Sequence, residues 1–341
     1  MKFQILFEVG DIHDATVHYV NIIERSLLKF ESTVEIISSI KQIDRKTNII
    51  VVVNAKAHVR VLLKNPRQKV IVWYQGIMPE EINVLYKGFN KKLKSWFWTA
   101  LEYISLRISA FSLFVSDEMR YHYERKYKIN FTDKYYVMPC FNLKLDRSAF
   151  TIPDKYTTPN FVYAGTMSKW QCIELMLKLF KQIQVEIPKA KLYIFTSDRR
   201  VAENYLQKYE LSNVTVDYIP YQKIGEKLKK MKYGFILREN IAMNRVSTPT
   251  KMNTYLANGI IPIYSNYIEA FRTNLLNLEY QIATNNNDDF TSIIKKIKVF
   301  EEITDLNIDI KNDFENNAFT SFYNQDFHIT NLFKKLKKHL K

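Results

Sequence analysis

Residues 233–263 read YGFILRENIAMNRVSTPTKMNTYLANGIIPI, in which two apolar runs enclose a polar loop and a helical stretch. Tyr233–Leu237 and Ile260–Tyr264 have the length and the apolar character of buried strands, and Lys251–Asn258 between them predicts a helix. A strand, a helix and a second strand in succession are typical of the βαβ unit, whose parallel strands are covered by helices on both faces. The segment therefore predicts an α/β fold.

The same alternation continues through the rest of the chain. Further strands are predicted at Phe3–Phe7, Val34–Ser38, Ile49–Val53, Val70–Tyr74, Phe111–Val115, Tyr135–Met138, Phe161–Ala164, Lys191–Phe195 and Val214–Tyr218. Further helices are predicted at Ala15–Phe30, Lys56–Leu63, around Lys91–Ser109, and at Glu118–Lys126, Gln171–Glu186, Arg200–Tyr209, Lys223–Met231 and Tyr267–Leu276. Phe141–Asn160 carries two prolines and no sustained period, which predicts an interdomain linker.

This rhythm predicts two Rossmann-like, doubly wound parallel-sheet domains that face a central cleft. The first occupies residues 1–145 and the second 161–325, with a linker at 146–160 and a basic helix at 326–341. The apolar stripe of that last helix favours docking on the protein itself, with membrane contact as the alternative. Ligands of such sheets bind beyond the carboxyl ends of the strands, so the loops there are the candidate sites.

Composition limits the class of protein. Hydrophobic residues make up 47% and aromatic residues 14% of the 341 residues, as in globular proteins. Cys140 and Cys172 fit neither a metal-binding spacing nor a disulfide framework. No signal peptide and no apolar run of transmembrane length occurs, so we expect a cytoplasmic protein.

The net charge of +15 suits an anionic partner such as nucleic acid, anionic lipid or a phosphorylated ligand. A genome that favours Lys and Asn codons accounts for the surplus equally well. Charge alone therefore does not identify the partner.

Two loops of the second half combine the residue types that bind phosphate. Gly165 allows close backbone approach, and Thr166, Ser168 and Lys169 supply two hydroxyls and an ammonium before a helix start. An ordinary capping loop with Ser168 as N-cap explains this first loop equally well. The second loop is denser in anion ligands than a strand–helix connection needs. Its ligands are Arg238, Arg245, Ser247, Thr248, Thr250 and Lys251.

These residues also resemble a known family. Three stretches are similar to the donor-binding region of bacterial GT-B glycosyltransferases, above all the retaining enzymes that build capsule, O-antigen and related surface polysaccharides: Tyr233–Asn240, Asn244–Lys251 and Tyr255–Ile263. Three others resemble the loop opening the C-terminal domain, the strand closing the N-terminal domain, and the strand and helix start before it: Phe161–Gln171, Val137–Asn142 and Phe114–Met119. The resemblance covers about two-thirds of the chain in the family's order.

The resemblance implies a GT-B enzyme that transfers a hexosyl group from a nucleotide-diphosphate sugar. Arg238 and Lys251 would neutralise the donor diphosphate and stabilise the leaving nucleotide, helped by the two loops. Tyr218 and Ile219 would lie beside the base. Protein cations in this role imply no prosthetic group and no obligatory metal, and no Asp-x-Asp motif stands at a strand end.

One departure concerns stereochemistry. Many retaining members carry two Glu residues at the positions that Val246 and Thr254 occupy here. The resemblance therefore leaves retention or inversion open.

The first half is expected to supply the acceptor site. Gln75, Gly76, Glu80 and Glu81 follow a predicted strand, and a carboxylate there can bind an acceptor hydroxyl; the alternative is that both Glu residues only complement a helix dipole. Asp11, His13 and Asp14 follow the first strand, where one of them could act as a base or orient the sugar. His13 and Glu81 are the catalytic candidates of this half, and a surface role is the alternative for His13.

Lys87–Arg107 mixes lysines with Trp96, Phe97, Trp98 and Tyr103. Such a helix suits the headgroup region of an anionic membrane, whereas a core-facing helix with a solvated basic edge is the alternative. With this helix, the resemblance implies a glycosyltransferase that transfers sugar to a lipid-linked surface glycan. We expect the enzyme to be cytoplasmic and peripheral on the inner face of the cytoplasmic membrane. A GT-B-shaped nucleotide-sugar epimerase and a basic nucleic-acid-binding protein are the alternatives, although no recognised nucleic-acid motif occurs.

Overall fold

The computed structural model describes residues 1–8, 10, 14–86, 88–285, 290–303 and 306–340, and leaves the side chains of residues 14, 15, 89, 221 and 306 undescribed. The contacts divide the chain into two compact units. The first comprises Met1–Asn142, Arg245–Thr248 and Asn324–Lys341, and the second Leu143–Asn244 and Pro249–Tyr323.

The first unit contains a six-stranded, all-parallel sheet in the order β2-β1-β3-β4-β5-β6. Its elements are β1 (Lys2–Leu6), α1 (Asp14–Leu28), β2 (Thr33–Ile37), β3 (Ile49–Val52), α2 (Ala55–Lys64), β4 (Lys69–Tyr74), α3 (Met78–Leu85), α4 (Phe89–Ile108), β5 (Phe111–Phe114), α5 (Asp117–Tyr127) and β6 (Tyr135–Val137). Ile5, Val51 and Val72 on adjacent strands are fully buried in its core.

The second unit repeats this architecture, with the parallel order β12-β11-β10-β7-β8-β9. Its elements are β7 (Asn160–Ala164), α6 (Ile173–Glu186), β8 (Lys191–Phe195), α7 (Arg199–Tyr209), β9 (Val214–Asp217), α8 (Tyr221–Leu228), β10 (Tyr233–Ile236), α9 (Ala242–Val246, which ends in the first unit), α10 (Thr250–Ala257), β11 (Ile261–Ser265), α11 (Glu269–Asn274), β12 (Ile282–Thr284), α12 (Phe290–Glu302) and α13 (Leu306–Phe314). The predicted α/β class with two Rossmann-like, doubly wound sheets is confirmed.

Polar caps fix where several helices begin. The Asn54 side chain accepts the Ala57 amide at the start of α2, and Ser116 accepts the Met119 amide at the start of α5. Pro79 stands in the first turn of α3, where its missing N–H costs nothing, and Glu80 and Glu81 lie in the same turn. These caps place the loops after β3, β4 and β5 in defined conformations.

Two segments outside the sheets, one within 146–160 and one at the end of the chain, pack into the units through buried side chains. Within 146–160 a short 3₁₀ helix, Arg147–Phe150, buries Ala149 and Phe150 in the second unit. The last described helix, α14 (Gln325–His339), belongs to the first unit and buries Leu332 and Leu336 along α1. No helix in the part of the chain that the structure describes is long and apolar enough to cross a membrane.

Candidate functional sites

The second unit has a cavity of about 360 Å³ beyond the carboxyl ends of its strands. The loops after β7, β8 and β9 and the first turns of α10 line it, as expected for a ligand site of a doubly wound sheet. Its lining comprises Ala164, Gly165, Thr166, Phe195, Thr196, Ser197, Tyr218, Ile219, Ile224, Leu228, Thr250, Lys251, Thr254 and Tyr255. Six predicted donor residues thus come together: Gly165, Thr166, Tyr218, Ile219, Thr250 and Lys251.

Lys251 is held by neighbours on β7 and the loop that follows it. Its Nζ donates to Gln171 Oε1 at 2.9 Å and lies 4.3 Å from the centre of the Tyr163 ring. Gly165 has φ +147°, and a Cβ added there would stand 2.7 Å from the Lys251 Nζ. Glycine at 165 therefore provides both the backbone conformation and the space that the ammonium occupies.

Arg238 follows β10 and is only 6% exposed, and its backbone N–H donates to Ser265 Oγ at 2.9 Å. Burial lowers the pKa of the guanidinium below its usual value. The pKa of Lys251 falls well below its usual value, because its surroundings are dry and because Arg238 repels a second positive charge. No carboxylate among the described residues forms a salt bridge with Lys251. A bound anion would relieve both costs, so the pair favours a phosphate-bearing ligand.

The loop after β7 is braced by its own hydroxyls. Tyr163 donates to the Thr166 carbonyl, and the Thr166 and Ser168 hydroxyls lie 3.0 Å apart. Ser168 is the N-cap residue of the 3₁₀ helix Lys169–Gln171, but its side chain makes no capping hydrogen bond. Lys169 is exposed and, like Ser168, lies outside the cavity lining. The alternative that this loop only caps a helix is therefore not supported by a hydrogen bond from the Ser168 side chain.

The residues before α10 are divided between the units. Ser247 and Thr248 belong to the first unit, where Thr248 Oγ1 accepts the Cys140 amide at 3.0 Å; neither lines the cavity. Val246 is buried, whereas Thr254 lines the cavity and donates to the Thr250 carbonyl at 3.1 Å. Of the two positions where an acidic pair would stand, only Thr254 borders the cavity.

Sequence reasoning missed three residues that shape this site. Gln171 accepts from Lys251, the Tyr163 ring lies beside the same ammonium, and the Tyr255 hydroxyl accepts the Ala164 amide at 3.2 Å. Tyr163 and Tyr255 lie in apolar stretches that predict only core. No sequence signal links Gln171 to Lys251, 80 residues away.

The first unit has its own cavity, of about 460 Å³, beyond the carboxyl ends of β3 and β4. It is lined by Val53, Asn54, Ala55, Tyr74, Gln75, Gly76, Met78, Glu81, Trp98, Glu102 and Tyr123. Three predicted acceptor residues, Gln75, Gly76 and Glu81, are brought together here. Asp11 and His13 lie outside the described residues, and of Asp14 only its place at the start of α1 is described.

Glu81 faces this cavity from the first turn of α3. Its Oε1 accepts the Ile77 amide at 3.2 Å, and a Cβ added to Gly76 would stand 2.1 Å from the same oxygen. Burial raises the pKa of the Glu81 carboxyl, and the nearby charge of Glu80 raises it further. Gly76 therefore keeps open the space that the carboxylate occupies.

Glu80 does not line the cavity. It pairs with Lys126 Nζ at 2.7 Å and lies 3.2 Å from His122 Nε2. Burial alone would raise the pKa of Glu80, but the hydrogen bonds from His122 and Lys126 hold it below its usual value. The two adjacent glutamates thus have different roles, which the sequence did not separate.

Glu102 of α4 is a second cavity carboxyl, which sequence reasoning missed. It is 2% exposed and accepts from the Tyr127 hydroxyl at 2.8 Å and the Met78 amide at 3.0 Å. Burial raises its pKa to about 7, although Lys126 lies 3.6 Å away. The only signal was its spacing of four from Trp98, which puts both on one face of α4.

No family model matches the sequence, and no curated protein matches it. Solved structures do match. A sucrose-phosphate synthase from Thermosynechococcus elongatus superposes with a TM-score of 0.69 at 11% identity over 99% of this chain and 98% of that one. WaaG, a glycosyltransferase involved in lipopolysaccharide biosynthesis, gives a TM-score of 0.62 at 11% identity, over 98% of this chain and 99% of that one.

TarM of S. aureus, solved with UDP, alpha-GlcNAc-glycerol and fondaparinux, gives a TM-score of 0.62 at 9% identity over 84% of this chain. The chain spans about half of TarM, namely 55% of its length. At these identities the likeness shows the fold, which is the GT-B fold that the resemblance implied.

Among the described residues, no group of three or more His, Cys, Asp and Glu side chains could hold a metal ion.

Proposed function

We propose that the protein is a glycosyltransferase that moves a sugar from a nucleotide-diphosphate donor to a glycan acceptor. The proposal rests on a pair of buried cations, Arg238 directly after β10 and Lys251 in the first turn of α10, with Gly165 after β7 providing space for the ammonium. Two cations placed to repel each other fit a diphosphate better than any neutral ligand. Two of the structural neighbours, the sucrose-phosphate synthase and the glycosyltransferase WaaG, are named as enzymes of this kind of chemistry.

In this proposal the cations act on the leaving group. As the bond between the anomeric carbon and the phosphate oxygen breaks, negative charge grows on the departing diphosphate. Arg238 and Lys251 stabilise that charge without a metal ion, and Tyr218 and Ile219 lie on the cavity wall where the base would bind. TarM was solved with UDP, so uridine diphosphate is the first nucleotide to test.

We further propose a hexosyl donor and retention of the anomeric configuration, on the sequence resemblance to retaining enzymes. Neither Val246 nor Thr254 supplies a carboxylate. In this reaction the acceptor hydroxyl approaches on the side of the leaving group, and its proton passes to a phosphate oxygen of the departing nucleotide. The new glycosidic bond thus replaces the old one on the same face of the sugar.

The proposed acceptor is a lipid-linked surface glycan, reached at an anionic membrane. The exposed face of α4 supports this: Leu93, Trp96 and Phe97 are 60%, 71% and 50% exposed, and Lys92 and Lys94 beside them are exposed as well. Apolar and aromatic side chains among lysines suit a headgroup region. WaaG's involvement in lipopolysaccharide biosynthesis is the matching precedent.

Thermal shift and slow hydrolysis with a panel of nucleotide sugars test the proposal. Wild type is compared with Arg238→Ala and Lys251→Met, and with Lys189→Met as an exposed control on the second unit. We expect one or more donors to raise the melting temperature of wild type and of the control, but not of the two site variants. If no donor binds, or if the site variants bind as well as wild type, the proposal is wrong.

A further inference from the structure

The cavity of the first unit differs from that of the second in the sign of its charge. Its charged lining residues are two carboxyls, Glu81 and Glu102, whereas the second cavity is lined by Lys251. We infer that the first cavity binds a sugar that carries hydroxyl or amino groups and no negative charge, with Glu81 accepting its hydrogen bonds. This rests on the proposed function, and it names the chemical class of the acceptor ring.

Lys126, which pairs with Glu80 and Glu102, does not reverse this sign. Lys126 Nζ lies 2.7 Å from Glu80 Oε1 and 3.6 Å from Glu102 Oε2, and the side chain is not part of the cavity lining. One ammonium is thus shared between two carboxyls while Glu81 adds a third. Above the raised pKa values of Glu81 and Glu102 both carboxyls are charged, and a phosphate or carboxylate in the cavity would then meet like charge in surroundings that screen it poorly.

The two lining carboxyls have different tasks. Glu102 is committed within the protein, since it accepts from the Met78 N–H and the Tyr127 hydroxyl. Its bond to Met78 fixes the start of α3, the helix that carries Glu81. Glu81 uses Oε1 for the Ile77 amide, which leaves Oε2 as the acceptor on the cavity wall. Glu81 is therefore a binding residue and Glu102 a positioning residue.

The remaining walls suit the apolar face of a sugar ring. Trp98, Tyr74 and Tyr123 line the cavity. The Tyr74 hydroxyl bonds Ser105 and the Tyr123 hydroxyl donates to the Gly76 carbonyl, so both already have partners inside the protein. Aromatic surface beside a carboxylate complements a pyranose, which has apolar C–H faces and hydroxyls at its edge.

The first measurement is binding to wild type in the absence of donor, at alkaline pH, where Glu102 is ionised because its pKa is about 7. Saturation-transfer NMR is run with the methyl glycosides of glucose, galactose and glucosamine, each paired with its 6-phosphate, and with the two uronic acids of the neutral sugars. We expect at least one neutral or amino glycoside to bind, and its anionic counterparts to bind roughly tenfold or more weakly. If none binds, or if an anionic form binds as well as its parent, the inference is wrong.

The second measurement locates the selectivity. Glu81→Gln keeps the side chain's shape and removes its charge, and we expect the preference for uncharged over anionic sugars to shrink roughly tenfold. Glu102→Gln should weaken sugar binding, and Glu102→Asp should restore part of it. Glu118→Gln, a carboxyl of α5 outside the cavity lining, is the matched control and keeps wild-type selectivity. An unchanged preference in Glu81→Gln contradicts the assignment.

Failure of the inference about the sugar class can be distinguished from failure of the proposed donor site. Donor binding and hydrolysis depend on Arg238 and Lys251 and are measured without any sugar acceptor. Loss of donor binding with intact sugar selectivity refutes the proposed function alone. Donor turnover with equal use of anionic sugars refutes the acceptor class alone.

Discussion

The Lys251 ammonium lies where the side chain of any residue other than glycine at position 165 would begin. A Cβ at 165 would stand 2.7 Å from Nζ and 2.8 Å from Cε of Lys251, in a backbone conformation with φ +147°. The glycine after β7 and the lysine of α10 therefore depend on each other in the proposed donor site.

The first prediction concerns Gly165→Ala. The substitution forces the new methyl group against the Lys251 side chain and strains the backbone by about 1–3 kcal/mol. We expect a lower melting temperature and at least tenfold weaker binding of the nucleoside diphosphate, measured by calorimetry. Gly225→Ala is the matched control, because nothing lies within 4 Å of its added Cβ and its backbone lies in α8. Unchanged binding in Gly165→Ala would show that the close approach to Lys251 has no role.

The second prediction concerns the uptake of a proton by Lys251 when a diphosphate binds. Burial and the charge of Arg238 hold the pKa of Lys251 well below its usual value, and a bound diphosphate should raise that pKa. Binding above the pKa of the free protein then takes up a proton, so affinity falls as the pH rises. Calorimetry in buffers of different ionisation enthalpy measures the uptake. Lys251→Met should abolish it, and equal uptake in the variant would contradict the assignment to Lys251.

The third prediction concerns stability. Lys155 is 2% exposed, its Nζ donates to the Ala149 carbonyl at 3.0 Å, and burial lowers its pKa to about 7. Between that value and its usual 10.5 the unfolded chain binds more protons than the folded one, so this residue makes stability rise with pH across that window. Chemical unfolding at pH 7 and at pH 9.5 should show a smaller gain in Lys155→Met than in wild type. A gain equal to that of wild type would rule out this origin.

The fourth prediction concerns the exposed face of α4. Replacing Leu93 and Trp96 with Ser removes apolar surface from that face, and we expect binding to phosphatidylglycerol vesicles to weaken by roughly tenfold or more. Leu63→Ser is the matched control, since Leu63 is 81% exposed but lies on α2. Co-sedimentation with phosphatidylglycerol and phosphatidylcholine vesicles is the measurement. Equal sedimentation of wild type and the double variant would remove α4 as the membrane surface.

The sequence was sufficient for the fold because the strands are continuous apolar runs with helices between them. Its prediction for the strands Tyr233–Leu237 and Ile260–Tyr264 and the helix between them matches β10, α10 and β11 to within one residue at every boundary. It missed α9, β12, α12 and α13. α9 and β12 are short, whereas α12 has a helical pattern, with Ile293, Ile294 and Ile297 buried, that the sequence analysis overlooked.

The sequence predicts only part of each candidate site, because some site residues are identified by position along the chain and others only by contacts in the folded protein. Gly165, Arg238 and Lys251 stand directly after strands or at a helix start, where topology alone brings them to one edge of a sheet. Gln171 and Glu102 belong to the candidate sites because they form hydrogen bonds with residues distant in the chain, namely Lys251 and Met78. No local pattern contains those contacts.

The most direct test compares a nucleoside with its diphosphate. Calorimetric titration of wild type and the Arg238→Ala, Lys251→Met double variant with uridine and with UDP measures what the two cations contribute. We expect UDP to bind wild type at least a hundredfold more tightly than uridine, and most of that difference to vanish in the double variant, because charged hydrogen bonds contribute about 1.5–3 kcal/mol each. A double variant that still prefers UDP as strongly as wild type would show that Arg238 and Lys251 are not the diphosphate ligands.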